Sequence, residues 1–110
     1  MIVEHIESTT VITQEKATLA NFVSGLNDIY EELKNNNIVI NLFSLDNLRA
    51  GDLNEFILFS EKHKASKHSF VLVIDSVKYD DLPEALTVAP TLGEAHDIIA
   101  MEEIERDLGF

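Results

Sequence analysis

The chain has no cysteine and no tryptophan, only four glycines and two prolines, and only eight Lys and Arg against twenty Asp and Glu. Without cysteine there is no disulfide framework, no thiol nucleophile and no thiolate metal ligand. So little Gly and Pro, beside 45% apolar residues, excludes a disordered or fibrous chain and fits one packed domain of 110 residues. No stretch approaches the ~20 consecutive apolar residues of a membrane helix. Met1-Ile2-Val3-Glu4-His5 lacks the basic lead-in and apolar run of a secretory signal, so a cytoplasmic protein with no membrane partner is expected. A net charge of −12 repels a phosphate backbone, and no direct nucleic-acid binding is expected.

Catalytic constellations are equally scarce. The four histidines stand at 5, 63, 68 and 96, with no spacing that suits a metal. His96-Asp97 are neighbours on an expected helix, where adjacent side chains point about 100° apart, so they read as a surface pair. Asp80-Asp81 and Glu102-Glu103 are paired carboxylates with no sign of a pocket that would split their pKa values. No nucleophile elbow, phosphate-binding glycine loop or dinucleotide fingerprint occurs. The expectation is a protein with no catalytic residue, no metal and no cofactor. One basic cluster, Lys62, His63, Lys64, Lys67 and His68, stands where a helix should end and reads first as cations against the negative end of a helix dipole.

What is present is an alternation of strand and helix patterns. Met1 to Glu7 and Thr9 to Thr13 are short β-favouring runs, consistent with an antiparallel hairpin. Leu19, Phe22, Val23, Leu26, Ile29, Tyr30 and Leu33 recur at helical spacing, and Asn35-Asn36-Asn37 should stop that helix. Ile38 to Phe43 is a nearly continuous apolar run, as in a central strand covered on both faces. Asp52 and Glu55 have capping-box spacing before a helix that turns Leu53, Phe56, Ile57 and Ser60 inward. Ser69 to Asp75 reads as the next buried strand, Asp80 to Leu86 as a short helical turn, and Thr87-Val88-Ala89 as an edge strand before Pro90. Thr91 and Glu94 form a second capping box, and Leu92, Ala95, Ile98 and Ile99 line the last helix. Beyond Ala100 its carboxylates oppose the helix dipole, so Glu102 to Asp107 should fray unless something holds them. The resulting order is ββαβαβαβα: an α/β fold with a central sheet of four to five strands and about four helices.

The stretch Ile38 to Leu53 resembles the core of the STAS family, the domain of bacterial anti-sigma-factor antagonists and of sulfate-transporter tails. In that family a strand of the type "vvlDls" leads through "v-x-x-i-D-S-s-G-l" into a helix, and the Ser accepts a regulatory phosphate. Ser69 to Ser76 resembles the strand after it, and Pro90-Thr91-Leu92-Gly93-Glu94-Ala95 the start of the closing helix. The resemblance implies a STAS-like single domain over residues 1–110, with an acidic helical tail at 101–110. Here the family's Asp at the end of the strand is Asn41, its loop Asp is Arg49 and its phosphoacceptor is Ala50. The Gly after the family's Ser pair falls at Asp52, beside Gly51. The likeness therefore implies a non-catalytic protein-interaction module, regulatory or accessory, without the phosphorylation switch.

Its expected docking surface is the turn carrying Ser44, Asp46, Asn47, Arg49, Ala50, Gly51 and Asp52, with the exposed face of the helix that follows. The second candidate is the tail, presenting Ile104, Leu108 and Phe110 to a groove. Met101 to Phe110 is similar to the end of short proteins of Bacteroidetes-type bacteria, some of which carry a ribonuclease Z label. That nuclease needs a His-x-His-x-Asp-His cluster for two metals, and the chain has none. An accessory role beside such an enzyme is what the likeness leaves. Two other classes stand beside the interaction module: a small-ligand or nucleotide-binding module using the Lys62–His68 cluster, and a structural subunit that homodimerises through its first two strands.

Overall fold

A computed structural model describes residues 1–15, 18–43, 48–75 and 81–109. Strands β1 (Ile2–Ile6) and β2 (Thr9–Thr13) are followed by helix α1 (Leu19–Leu33) and strand β3 (Asn37–Asn41). A 3-10 segment, Ala50–Phe56, leads directly into helix α2 (Ile57–Ala65). Strands β4 (Phe70–Val73) and β5 (Thr87–Ala89) and helix α3 (Leu92–Asp107) complete the order. The five strands form one mixed sheet in sequence order, antiparallel only between β1 and β2. The α/β alternation read from periodicity is therefore present.

Register sorts the side chains onto two faces. Ile12, Ile40 and Leu72 lie side by side, as do Ile38 and Phe70, and all five turn toward α1 and α2. There they meet Phe22, Leu26, Tyr30 and Leu33 of α1 and Leu53 and Phe56 of the 3-10 segment. Val11, Val39 and Val71 form the matching row on the opposite face, where with Val73 and Ala89 they pack against Ala95 and Ile99 of α3. The smaller residues of that row suit a sheet face covered by one helix. Consecutive parallel neighbours joined by α1 and α2 on one face follow from a single crossover hand.

Three expectations need correction. The fourth helix does not appear: three α-helices and one 3-10 segment occur among the described residues. Residues 81–86 form a turn in which the Leu86 N–H donates to the Pro83 carbonyl at 3.1 Å. Asn37 does not stop α1 but opens β3 and is buried, because its side-chain oxygen accepts the Ser69 N–H at 2.9 Å. Asp52 is not the first capping residue of its helix. The 3-10 turn begins earlier, at Ala50, and the Asp52 carboxylate accepts the Arg49 N–H at 3.0 Å, so Asp52 is the third residue of a cap at Arg49 and not the first of a box with Glu55. The box at Thr91 is as expected on its hydroxyl side, with Oγ1 accepting the Glu94 N–H at 3.1 Å.

Phe56 and Leu58 sit two positions apart on opposite sides of this packing. Phe56→Ala should cost about 3–5 kcal/mol, because a fully buried ring leaves a cavity. Leu58→Ala should stay within about 0.5 kcal/mol, because Leu58 is 78% exposed. Urea denaturation of the two variants checks the contrast.

Candidate functional site

The first candidate surface begins where β3 ends. Asn41 accepts the Phe43 N–H on its side-chain oxygen at 3.1 Å and so closes a local turn. Phe43 itself is 57% exposed. Ser44, Asp46 and Asn47 lie outside the described residues, so the turn is followed again from Leu48. Arg49 and Gly51 are exposed, Ala50 and Asp52 are half-buried, and Leu53 is wholly inside. Ala50 starts the 3-10 turn.

From Gly51 a furrow runs between α1 and the 3-10 segment with α2. One part, about 310 Å³, is lined by Leu19, Ala20, Val23, Gly51, Asp52 and Glu55. The other, about 300 Å³, shares Val23 and Glu55 and adds Tyr30, Glu31, Leu58, Phe59 and Lys62 among others. Its lining combines apolar side chains, among them Leu19, Val23, Leu58 and Phe59, with the carboxylates Asp52, Glu55 and Glu31. Lys62 stands at its far end, with Nζ 4.9 Å from the Tyr30 ring centroid and 4.0 Å from Glu31. Hydrogen bonding and charge from Lys34, with help from Lys62, hold the Glu31 carboxyl below the usual carboxylate range. Turn and furrow are thus continuous, which brings the described part of the first docking candidate together.

The expected basic cluster is divided. Lys62 faces α1, whereas His63 is fully buried beneath it. His63 Nδ1 lies 2.8 Å from the Tyr30 hydroxyl and Nε2 lies 2.6 Å from the Asn36 carbonyl oxygen. The carbonyl can only accept, so Nε2 carries the proton, Nδ1 is bare, and the Tyr30 O–H donates to it. A neutral ring satisfies both contacts. Burial, reinforced by His68 with its ring centroid 5.6 Å away, pushes the His63 pKa down, against the opposing pull of the Asn36 carbonyl. Burial, followed by the Glu31 charge, pushes the Tyr30 hydroxyl up. His63 therefore ties α2 to α1 and to the start of β3. Its position two residues before the helix end suggested a surface cation, and Tyr30, three turns into another helix, was the only signal to the contrary.

Lys64, Lys67 and His68 turn the other way, toward α3. Helix α2 ends in a Schellman-type turn: His68 N–H donates to the His63 carbonyl at 3.2 Å and Lys67 N–H to the Lys64 carbonyl at 3.0 Å. Lys67 occupies the left-handed position with φ 67°, where glycine is usual and a side chain costs roughly 1 kcal/mol or more. The tail of α3 does not fray in the structure, and the helix runs through Asp107. Arg106 supplies the hold. Its Nη1 donates to Ser69 Oγ at 3.1 Å and its Nη2 to Asn37 Oδ1 at 3.4 Å, at the starts of β4 and β3. Ile104 and Leu108, with Met101, form an outward stripe 59–67% exposed, and Phe110 lies outside the described residues. The two candidate surfaces are separate: the tail packs on the opposite sheet face from the furrow.

The remaining candidates are quickly placed. All of β1 is exposed, including Ile2, Val3 and Ile6, and it forms one edge of the sheet. Among the described residues no group of three His, Asp or Glu is positioned to hold a metal ion. Among the described residues no helix is long and apolar enough to cross a membrane. Comparison with protein-family models gives no match, and no curated protein is significantly similar to the chain.

Two outcomes follow from this geometry. The unfolded chain binds a proton at His63 near the usual pH of about 6.5, whereas the folded chain resists it. The stabilisation is complete above that pH and is lost as pH falls through the lower folded value. Urea denaturation between pH 7.5 and pH 5 should therefore lose stability, and His63→Gln should flatten that dependence while costing about 1–3 kcal/mol at pH 7.5. Arg106→Gln should raise amide hydrogen exchange over residues 101–109 at least tenfold and leave α1 protected, as read by mass spectrometry.

Proposed function

We propose that the chain is a non-catalytic protein-interaction module, a STAS-like regulatory or accessory domain that has lost the phosphoacceptor serine. The observation that carries the reading is the furrow between α1 and α2. Its lining mixes apolar side chains with carboxylates and includes a large, exposed aliphatic side chain, Leu58. It opens at Gly51 and Asp52, within the turn that the family resemblance marks for docking. An amphipathic segment with basic flanks suits such a furrow, since apolar anchors meet its apolar side chains while its carboxylates and the net charge of −12 select the partner's sign. A role beside an RNA-processing nuclease is a narrower form of the same reading, in which the nuclease protein and not its RNA is bound. With Ala50 at the phosphoacceptor position, binding is regulated by the availability of the partner and not by phosphorylation of this turn.

A second surface is favoured by one specific feature, the outward stripe Met101, Ile104 and Leu108 on a helix already held in place. Affinity capture with the immobilised chain from its native cell extract separates the two. Leu58→Asp should abolish recovery of the main partner, and Ile104→Asp, which leaves Arg106 intact, should not. Undiminished capture by folded Leu58→Asp would sink the furrow reading, and loss only in Ile104→Asp would transfer the function to the tail.

A further inference from the structure

We infer that the cleft where α2 and α3 both end is a binding site for a small phosphate monoester that carries hydroxyl groups. The cleft measures about 400 Å³, and its lining includes Lys64, Lys67, His68, Glu102, Glu105 and Arg106. A recess of about 190 Å³ adjoins it and shares Lys67, His68 and Arg106. The site has no lining residue in common with the α1–α2 furrow and stands independently of it.

The argument begins with the distribution of charge. The chain has eight Lys and Arg against twenty carboxylates, and three of those eight line this one cleft. In so acidic a protein each cation has carboxylates to choose from. Yet the ion pairs within 4.0 Å among the described residues use Lys34, Lys62 and the N-terminus, and none uses Lys64, Lys67 or Arg106. Their polar contacts are with neutral groups. Lys64 Nζ donates to Thr87 Oγ1 at 3.0 Å and to the Ala85 carbonyl at 3.4 Å, and Arg106 donates to Ser69 and Asn37. Those two bonds orient the guanidinium plane and use two of its five N–H donors, which leaves donors for an oxyanion. A helix-dipole role accounts for Lys64 in the last turn of α2 and for Arg106 in the last turn of α3. It does not explain why Lys67 keeps a long cationic side chain at a left-handed position that glycine adopts without strain.

The other wall selects the class of ligand. Glu102 and Glu105, and the carbonyl ends of two helices, are acceptors that repel a bare polyanion and receive hydrogen bonds from hydroxyls. Lys64 and Lys67 at the end of α2 face Glu102, Glu105 and Arg106 of α3, a mixture of cations and acceptors that matches a molecule with both a dianionic phosphate and hydroxyls.

Thermal unfolding of the whole chain with ribose 5-phosphate tests the assignment, with ribose, inorganic phosphate and sodium sulfate at matched ionic strength as the other arms. Ribose 5-phosphate should raise the melting temperature saturably, and the other three should raise it far less. Lys67→Gly relieves the left-handed residue, so the unliganded variant should melt higher than the parent while its affinity for ribose 5-phosphate falls at least about tenfold, the effect of one lost charge-assisted contact. Glu105→Gln should reduce the preference for the ester over inorganic phosphate. An equal shift with ribose 5-phosphate and sulfate, no shift with either phosphate compound, or unchanged affinity in Lys67→Gly would overturn the site. Inorganic phosphate binding as tightly as the ester would overturn the ligand class.

Discussion

The fold depends on β3 being buried on both faces. Ile38 and Ile40 meet the helices α1 and α2, Val39 meets the side covered by α3, and all three are inaccessible to water. Burying three consecutive branched aliphatic residues contributes several kcal/mol in gross transfer free energy and leaves only the parallel ladders on either side to satisfy the backbone. Both layers of helices are therefore required at once. Neither can be removed without exposing an alternate row of the same strand. This explains why the two sheet faces differ so much in size of side chain: the isoleucine and phenylalanine rows support two helices, and the valine row supports one.

Around that strand, polar ties fix how the helices leave the sheet. Asn36 and Asn37 stand at the entrance to β3, and each serves a different layer. The Asn36 carbonyl receives the His63 proton from α2, whereas the Asn37 side chain receives the Arg106 donor from α3 and the Ser69 amide from β4. One dipeptide thus joins the ends of α2 and α3 to the same point of the sheet. Buried polar groups in such a network are specific because an unpaired member is costly, so the helices cannot slide without leaving one of them unsatisfied.

The sequence made the local periodicities legible and hid the long-range partners. The stripe from Leu19 to Leu33, the β3 run and the Thr91 cap are each decided within a few residues, and each appears where the pattern indicates. Asn37 was read as a helix stop because asparagine favours turns, but tertiary hydrogen bonds from Ser69 and Arg106 overrode that preference. His63 looked like one charge in a basic run, because only the fold reveals Tyr30 and Asn36 beside it. The same holds for the candidate surfaces. The turn at Arg49–Asp52 could be located from the strand-to-helix pattern. The furrow that extends it could not, since α1 supplies one whole wall and nothing local to Leu58 indicates it.

The tail shows most clearly how a local conflict is resolved at a distance. Carboxylates at a helix C-terminus oppose its dipole, and the acidic run from Glu102 to Asp107 contains one cation, Arg106. If Arg106 paired with those neighbours, it would soften their repulsion and leave the helix free to leave the sheet. It reaches neutral acceptors on β3 and β4 instead, so its contribution is positional. Lys64 and Lys67 stand across the cleft from two of those carboxylates, Glu102 and Glu105. Cations and carboxylates that line one cleft, with no close pair between them among the described residues, retain donors and acceptors for a third molecule. A tail stabilised by direct ion pairs would have closed that space.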